Sequence, residues 1–289
     1  MKIILSIFGL LFLMSSCVKN NPDPAWLEIG VWQLVENPSA IGEAGQLTEN
    51  ISDAWVYVND ELIGVFEVPC KVPILTTGTS VVNVYPTVLN NGISATKKIY
   101  PFLKPYQVTV ELVANSTTTV NPVTSYYEQA NFTWIENFDA AGFEITDDAT
   151  SLTQMESVDD IAIIQPFNGA KFGRVTLDAV NNTWIGYTTG EIPLPQGEEV
   201  YIELDYHNTN RLITGLLEIG ASGIVDHPNI QLNPQEPGEV VWKKMYIDLR
   251  EIITSSPNAA YFEISFQALI DEGETTGEIN IDNLKIVHF

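Results

Sequence analysis

The sequence predicts an all-β chain in two halves, on three observations. Apolar and polar residues alternate with a period of two along most of residues 26–289, in runs bounded by Gly, Asn, Asp and Pro. β-Branched and aromatic residues are plentiful, and no long segment holds a 3.6-residue period. The helical signals are short, such as "DLREIITS" at 248–255. Charge also changes along the chain. Residues 18–130 hold 11 acidic and 5 basic side chains, a net of −6, whereas residues 131–289 hold 26 and 7, a net of −19. Most of the acidity therefore belongs to the second half.

The first element in order is a secretory signal. Lys2 precedes the twelve-residue apolar run "IILSIFGLLFLM", followed by Ser15, Ser16 and Cys17. Twelve residues are too few to cross a bilayer, which takes about eighteen or more. The small pair before cysteine resembles a bacterial lipobox, with Met14 where Leu is usual. That resemblance implies cleavage after residue 16 and acylation of Cys17. Several acyl chains on one residue exceed the marginal attachment given by one. Residues 17–25 then form a lipidated tether, polar and with two prolines. Val18 is not an acidic inner-membrane retention residue, so the resemblance points to the outer membrane. The periplasmic and outer faces both stay open, because surface-export tethers of Bacteroidota lipoproteins are acidic just after the cysteine. Here Asp23 is the only acid before Trp26.

Removing residues 1–16 takes away Lys2 alone among charged groups and leaves a net charge of −25. Such a chain is repelled by nucleic acid and by anionic headgroups. With Cys17 acylated, Cys70 has no disulfide partner. The fold must be held by burial, for which roughly 270 residues in two domains suffice. Cys70, in "EVPCKVPIL", reads as a small buried hydrophobe.

Residues 26–127 read as a small antiparallel sandwich. "DAWVYVNDELIGVFEV" (53–68) is a hairpin turning at Asn59-Asp60. "VPILTTGTSVVNVYP" and "YQVTVELVANSTTTVNPV" each add a strand, a turn and a strand. The order "VYVND…IG…VPILTTGTSVVNVYP" resembles PEGA-type and related Ig-like surface modules over about fifty residues. Residues 86–105 carry Lys97, Lys98 and Lys104 beside Tyr100 and Phe102. They read as a further hairpin with a solvated basic edge, or else as a contact loop.

Residues 131–289 form the second domain. Phe262, Ile264 and Phe266 alternate with Glu263, Ser265 and Gln267. In the closing strand Ile279 and Ile281 share one parity, and Leu284 and Ile286 the other. Either both faces are buried there or a bulge sits at Asp282-Asn283. This ending, with "WIENFDAAGFEI" (134–145) and "VWKKMYIDLREI" (241–252), resembles jelly-roll domains of the galactose-binding and carbohydrate-binding-module type, over about 155 residues.

That resemblance implies two sites. The first is a structural calcium between the opening and closing strands, at Glu136, Asp139 and Asp282, whose hard oxygens suit the ion. The alternative is that these acids cap turns. The second is a sugar-binding face, with Trp184 and Tyr187 for stacking and Tyr206, His207, Asn208, Arg211 and Gln267 for hydroxyl groups. The competing reading puts Trp184 and Tyr206 in the core and makes "HNTN" a hairpin turn.

His207, His227 and His288 are scattered, which argues against zinc, and His227 before a proline reads as a turn residue. The paired-carboxylate strand of jelly-roll glycosidases, the G-x-S-x-G elbow and the phosphate-binding Gly-Lys-Ser/Thr loop do not occur. The expectation is a non-catalytic, lipid-anchored outer-membrane protein, without a catalytic cofactor, whose second domain binds glycan. The alternative is a scaffold subunit of an outer-membrane uptake, secretion or assembly complex.

Overall fold

The computed structural model describes residues 22–164, 169–236 and 238–289. The signal sequence and Cys17 lie outside the described residues. The chain is all-β, with one short helix among the described residues. Ten strands build the first half: β1 (Ala25–Ile29), β2 (Gln33–Leu34), β3 (Asp53–Val58), β4 (Glu61–Glu67), β5 (Cys70–Ile74), β6 (Gly78–Leu89), β7 (Lys97–Ile99), β8 (Tyr106–Leu112), β9 (Thr117–Val120) and β10 (Val123–Thr124). One sheet runs β4-β3-β6-β7 with β8 also on β6, and another runs β5-β1-β9. Ala54, Val56 and Val58 of β3 face Leu27, Ile29 and Val72 across a common core. The β3–β4 hairpin closes as its sequence predicts. Asn59 and Asp60 both take positive φ, 50° and 67°, the backbone that matches the twist of paired strands. Cys70 is a free, half-buried thiol packed against this core.

The second half contains β11 (Asn131–Glu136), β12 (Ile145–Asp147), β13 (Met155–Val158), β14 (Phe172–Asp178), β15 (Thr183–Thr188), β16 (Val200–Asn208), β17 (Leu212–Gly220), β18 (Gly223–Leu232), β19 (Lys243–Asp248), α1 (Arg250–Ser255), β20 (Ala259–Leu269) and β21 (Thr276–His288). They form two sheets, β13-β14-β21-β16-β19 with β11 also on β21, and β12-β15-β20-β17-β18. Trp184, Phe262, Ile264 and Phe266 of the second meet Ile202, Leu204, Ile279 and Ile281 of the first in one apolar core. Both sequence-derived options for β21 hold together. Its register against β16 shifts near Asn283, which has φ 49°, and Leu284 to Val287 are buried on both parities.

The second burying surface is the first half itself. Tyr201, Tyr246 and Val287 belong to the first half's apolar cluster. Tyr100 packs edge-on to Tyr201 (5.3 Å) and against Tyr246 (4.8 Å), and Phe102 packs against Phe289 (4.9 Å). Aromatic rings of this kind each remove roughly 150–250 Å² from water. A hairpin does form over residues 86–105, from β6 and β7, with β7 at the sheet edge and its lysines partly solvated, but each lysine is also paired. Lys98 Nζ lies 2.9 Å from Glu199 and 3.2 Å from Asp248 and donates to the Tyr201 hydroxyl (2.7 Å). Lys97 pairs with buried Asp53, and Lys104 with Glu128. The lysines thus tie the hairpin to its neighbours while lying along the edge strand.

Buried charge fills the same junction. Glu203 of β16 accepts from the hydroxyls of Tyr100 (2.7 Å) and Tyr126 (2.9 Å) and lies 3.2 Å from Lys244 Nζ. Lys244 also donates to Thr48 Oγ1 (3.0 Å), and Lys285 donates to the carbonyls of Ala44 and Gln46. Burial alone would push the Glu203 carboxyl up, but Lys244 and Lys285, with the two hydroxyls, hold it below its ordinary range.

Candidate functional site

The sheet β12-β15-β20-β17-β18 turns one face to the core, and period two decides what the other face carries. On β15, Trp184 and Thr188 point inward and Ile185 and Tyr187 outward. On β20, Phe262, Ile264 and Phe266 point inward and Glu263, Ser265 and Gln267 outward. Strand register then sets the outward residues in rows: Tyr187 opposite Ser265 opposite Gly215, and Glu263 opposite Leu217 opposite Asp226. Asp226 accepts from Ser265 Oγ (3.0 Å) and from the Gln267 side-chain amide. A side chain at Gly215 would meet the His227 carbonyl at 2.5 Å and Ser265 Oγ at 2.8 Å, so glycine lets β18 come in beside the row.

The result is a half-exposed phenol ring among hydrogen-bonding groups. Burial pushes the Tyr187 hydroxyl up, and the carboxylates of Asp148, Asp226 and Glu263 push it further. Burial also raises the Glu263 carboxyl. A flat ring beside carboxylate acceptors and a side-chain amide suits a ligand with both an apolar face and vicinal hydroxyl groups.

The residues expected to bind sugar disperse. Tyr187 and Gln267 share this face. Trp184 does not: it is fully buried, stacks on Phe266 (6.0 Å) and donates through Nε1 to Asp147 (2.7 Å). The cause is parity, reinforced by Gly186, where a Cβ would lie 2.6 Å from the indole. Tyr206 follows Ile202 and Leu204 into the core and is 8% exposed. Asn208 is buried and holds the β16–β17 turn through the carbonyls of Asn210 and Asn233. Arg211 is exposed at the end of the sandwich, paired with Asp271. His207 lies on the opposite sheet. His227, expected in a turn, sits in β18 with Nε2 3.0 Å from Glu218. Asp226, Glu263 and Ser265 were missed as site residues, although Glu263 and Ser265 were visible as polar partners of the apolar alternation.

The three expected calcium ligands do not assemble. Among the described residues no three His, Cys, Asp or Glu side chains converge to hold a metal. Glu136 is buried and uses both oxygens on the backbone N–H groups of Phe138 and Glu144, each at 2.6 Å. Asp139 Oδ1 accepts from the N–H groups of Ala170 and Lys171. These contacts fold the loops, as the turn-capping reading had it. Asp282 is different. It is 1% exposed, its Oδ1 accepts from Asn283 N–H, and its Oδ2 is buried without a hydrogen bond. Burial, a little offset by that N–H, and then the charges of Asp205, Asp139 and Glu136 push its carboxyl up to about 8. An orphaned oxygen near three other carboxylates suits a cation, although the ligand set around it is incomplete.

No protein-family model and no curated protein matches the chain in sequence. Among solved structures it is similar to the enzymatically active domain of tailspike protein 4 of bacteriophage CBA120, at 14% identity and a TM-score of 0.40. The match covers 60% of this chain and 26% of that one, so the chain spans about a quarter of that protein's length. It is also similar to a carbohydrate-binding module of family 28 specific for non-crystalline cellulose, at 11% identity and 0.36, covering 50% and 86%. A third similarity is to a carbohydrate-binding module of the β-sandwich superfamily, at 11% identity and 0.37, covering 81% and 84%. Likenesses this distant decide nothing about ligand or activity.

Proposed function

We propose that this chain is a non-catalytic, lipid-anchored protein of the bacterial outer membrane whose second half binds glycan on the outer face of β15, β20 and β17. The observation that carries this reading is the Tyr187 ring set beside Asp226, Ser265 and Gln267. A pyranose ring stacks on such a phenol while its hydroxyl groups exchange hydrogen bonds with the Asp226 carboxylate and the Gln267 amide, which Ser265 helps to hold from beneath. Attachment rests on the lipobox resemblance at Cys17. Cys17→Ser should release the protein from membranes and abolish palmitate labelling, and retention with label would refute the anchor. For the ligand, a glycan array probed with the whole chain from residue 18 is the test. Binding that Tyr187→Ala removes supports the reading, and a chain that retains no glycan overturns it.

Structural calcium is the second part of the proposal. Asp282 Oδ2 would supply one hard oxygen, with the carboxylates of Asp205, Asp139 and Glu136 around it. Calorimetric titration of the metal-free chain checks it. Calcium should raise the melting temperature, and an unchanged melting temperature would remove the ion from the account.

A further inference from the structure

We infer that the molecule carries a second ligand site, on the outer face of the opposite sheet, that takes a single neutral ring bearing vicinal hydroxyl groups. The site is a pocket of about 370 Å³ over β14, β16 and β21, beyond the area covered by the first half. That is at the small end of the roughly 300–1,000 Å³ usual for small-molecule sites.

Its centre is Arg174. The guanidinium donates to Asp160 (3.1 Å) and to Asn280 (2.9 Å) and lies 3.5 Å from Glu278. Asp160 and Glu278 thus present acceptors on either side of a fixed set of donors. The threonine hydroxyls of Thr176, Thr209 and Thr276 add groups that can do either. His207 forms part of the wall and is backed by Trp242, with ring centroids 5.7 Å apart. The bond from Arg174 fixes the Asn280 amide, whose nitrogen donates to Glu278 (2.7 Å) and to the His207 carbonyl (3.0 Å) and so ties the pocket floor to β16. Burial holds the imidazole below its ordinary range, which favours its uncharged form.

Charge selects the ligand class. Two carboxylates and one guanidinium leave the pocket net negative, which repels anions. A wholly apolar ligand would strand these polar groups without partners. A neutral polyol satisfies donors and acceptors together, and a recess of about 370 Å³ has room for one ring. The inference does not depend on the first face, since the two sites share no residue.

The test uses the whole chain from residue 18, with side-chain NMR of His207 and Arg174 during titration with a panel of methyl glycosides. At least one should shift both signals. His207→Ala should weaken its binding about tenfold. Thr176→Tyr, an exposed position that plugs the pocket without disturbing the core, should abolish it. Tyr187→Ala should leave the response intact, which separates this site from the glycan face. The inference is overturned if no methyl glycoside moves these signals, if both pocket variants bind as the parent does, or if tetramethylammonium binds where the glycosides do not.

Discussion

β16 and β20 have nearly the same pattern and opposite fates. "YIELDYHN" and "YFEISFQAL" each place apolar residues on one parity and tyrosine, acids and amides on the other. Both turn the apolar parity to the same core. Yet the outward Tyr201, Glu203 and Asp205 of β16 are 0%, 0% and 2% exposed beneath the first half, while Tyr187 and Gln267 on the β15–β20 face remain accessible. A polar parity on a strand therefore says only that the face is not the main core. It leaves open whether that face meets water, ligand or another part of the chain. The difference lies in what each polar group found. Glu203 has two hydroxyls and a lysine, all buried, whereas Asp226 has Ser265, Gln267 and solvent.

The comparison breaks most sharply under like substitutions. Glu203→Gln should cost about 3–5 kcal/mol in urea unfolding of the whole chain, because it leaves Lys244 short of its closest buried counter-charge. Glu263→Gln, on the open face, should change stability by no more than about 0.5 kcal/mol. Equal effects would mean that the two halves are not packed as described. Trp184→Ala belongs with the first group, at about 3–5 kcal/mol, since a core aromatic is removed. A stable Trp184→Ala protein with altered glycan binding would return that residue to the surface.

A pH dependence follows next in size. Asp282 has its carboxyl raised from 3.8 to about 8 in the folded chain, so the folded state binds a proton that the unfolded state releases. Stability contributed here is present below about pH 4 and falls as pH rises towards 8. Lys285 is lowered from 10.5 to about 8, mainly by burial and then by Lys244. The unfolded state keeps the proton longer, so this group's contribution recovers as pH rises from about 8 to 10.5. Each effect is on the order of a few kcal/mol. In metal-free protein, Asp282→Asn should flatten the acidic limb and Lys285→Met the alkaline one. Saturating calcium should flatten the first in the parent chain. If Asp282→Asn keeps the parent slope between pH 4 and 8, the orphaned oxygen is not the cause.

Much of this was legible in the sequence because period two is a local property. The β3–β4 turn, the paired parities of β20 and the irregularity of β21 all follow from residues within a few positions of one another. The burial of Tyr100 and the pairing of Lys98 were not legible, because Tyr201, Glu203 and Asp248 are more than a hundred residues away, on β16 and β19. Trp184 shows the same limit within one strand. An aromatic near a turn reads as a stacking residue, but its parity with Gly186 and Thr188, once strand register is known, takes it inside. Asp226 could be found only through register, since a strand pairing brings it to Gln267 from 41 positions away.

The smallest expected effect on stability sharpens the comparison most. Tyr187→Ala removes a half-exposed ring from the open face, and the fold should lose little, within about 1 kcal/mol. Glycan binding should weaken about tenfold or more, because the stacking surface is gone while Asp226, Ser265 and Gln267 keep their positions. Tyr187→Phe separates the two contributions of the residue. It retains the ring and removes only the hydroxyl, which is set among Asp148, Asp226 and Glu263. If stacking dominates, Tyr187→Phe binds nearly as the parent does. If the hydroxyl orients the ligand, Tyr187→Phe resembles Tyr187→Ala, and affinity should then respond to Asp226→Asn as well. Should Tyr187→Ala instead unfold the chain as Glu203→Gln does, the two outer faces would be alike after all. The accessible one would then be a packing surface whose covering partner lies outside this chain.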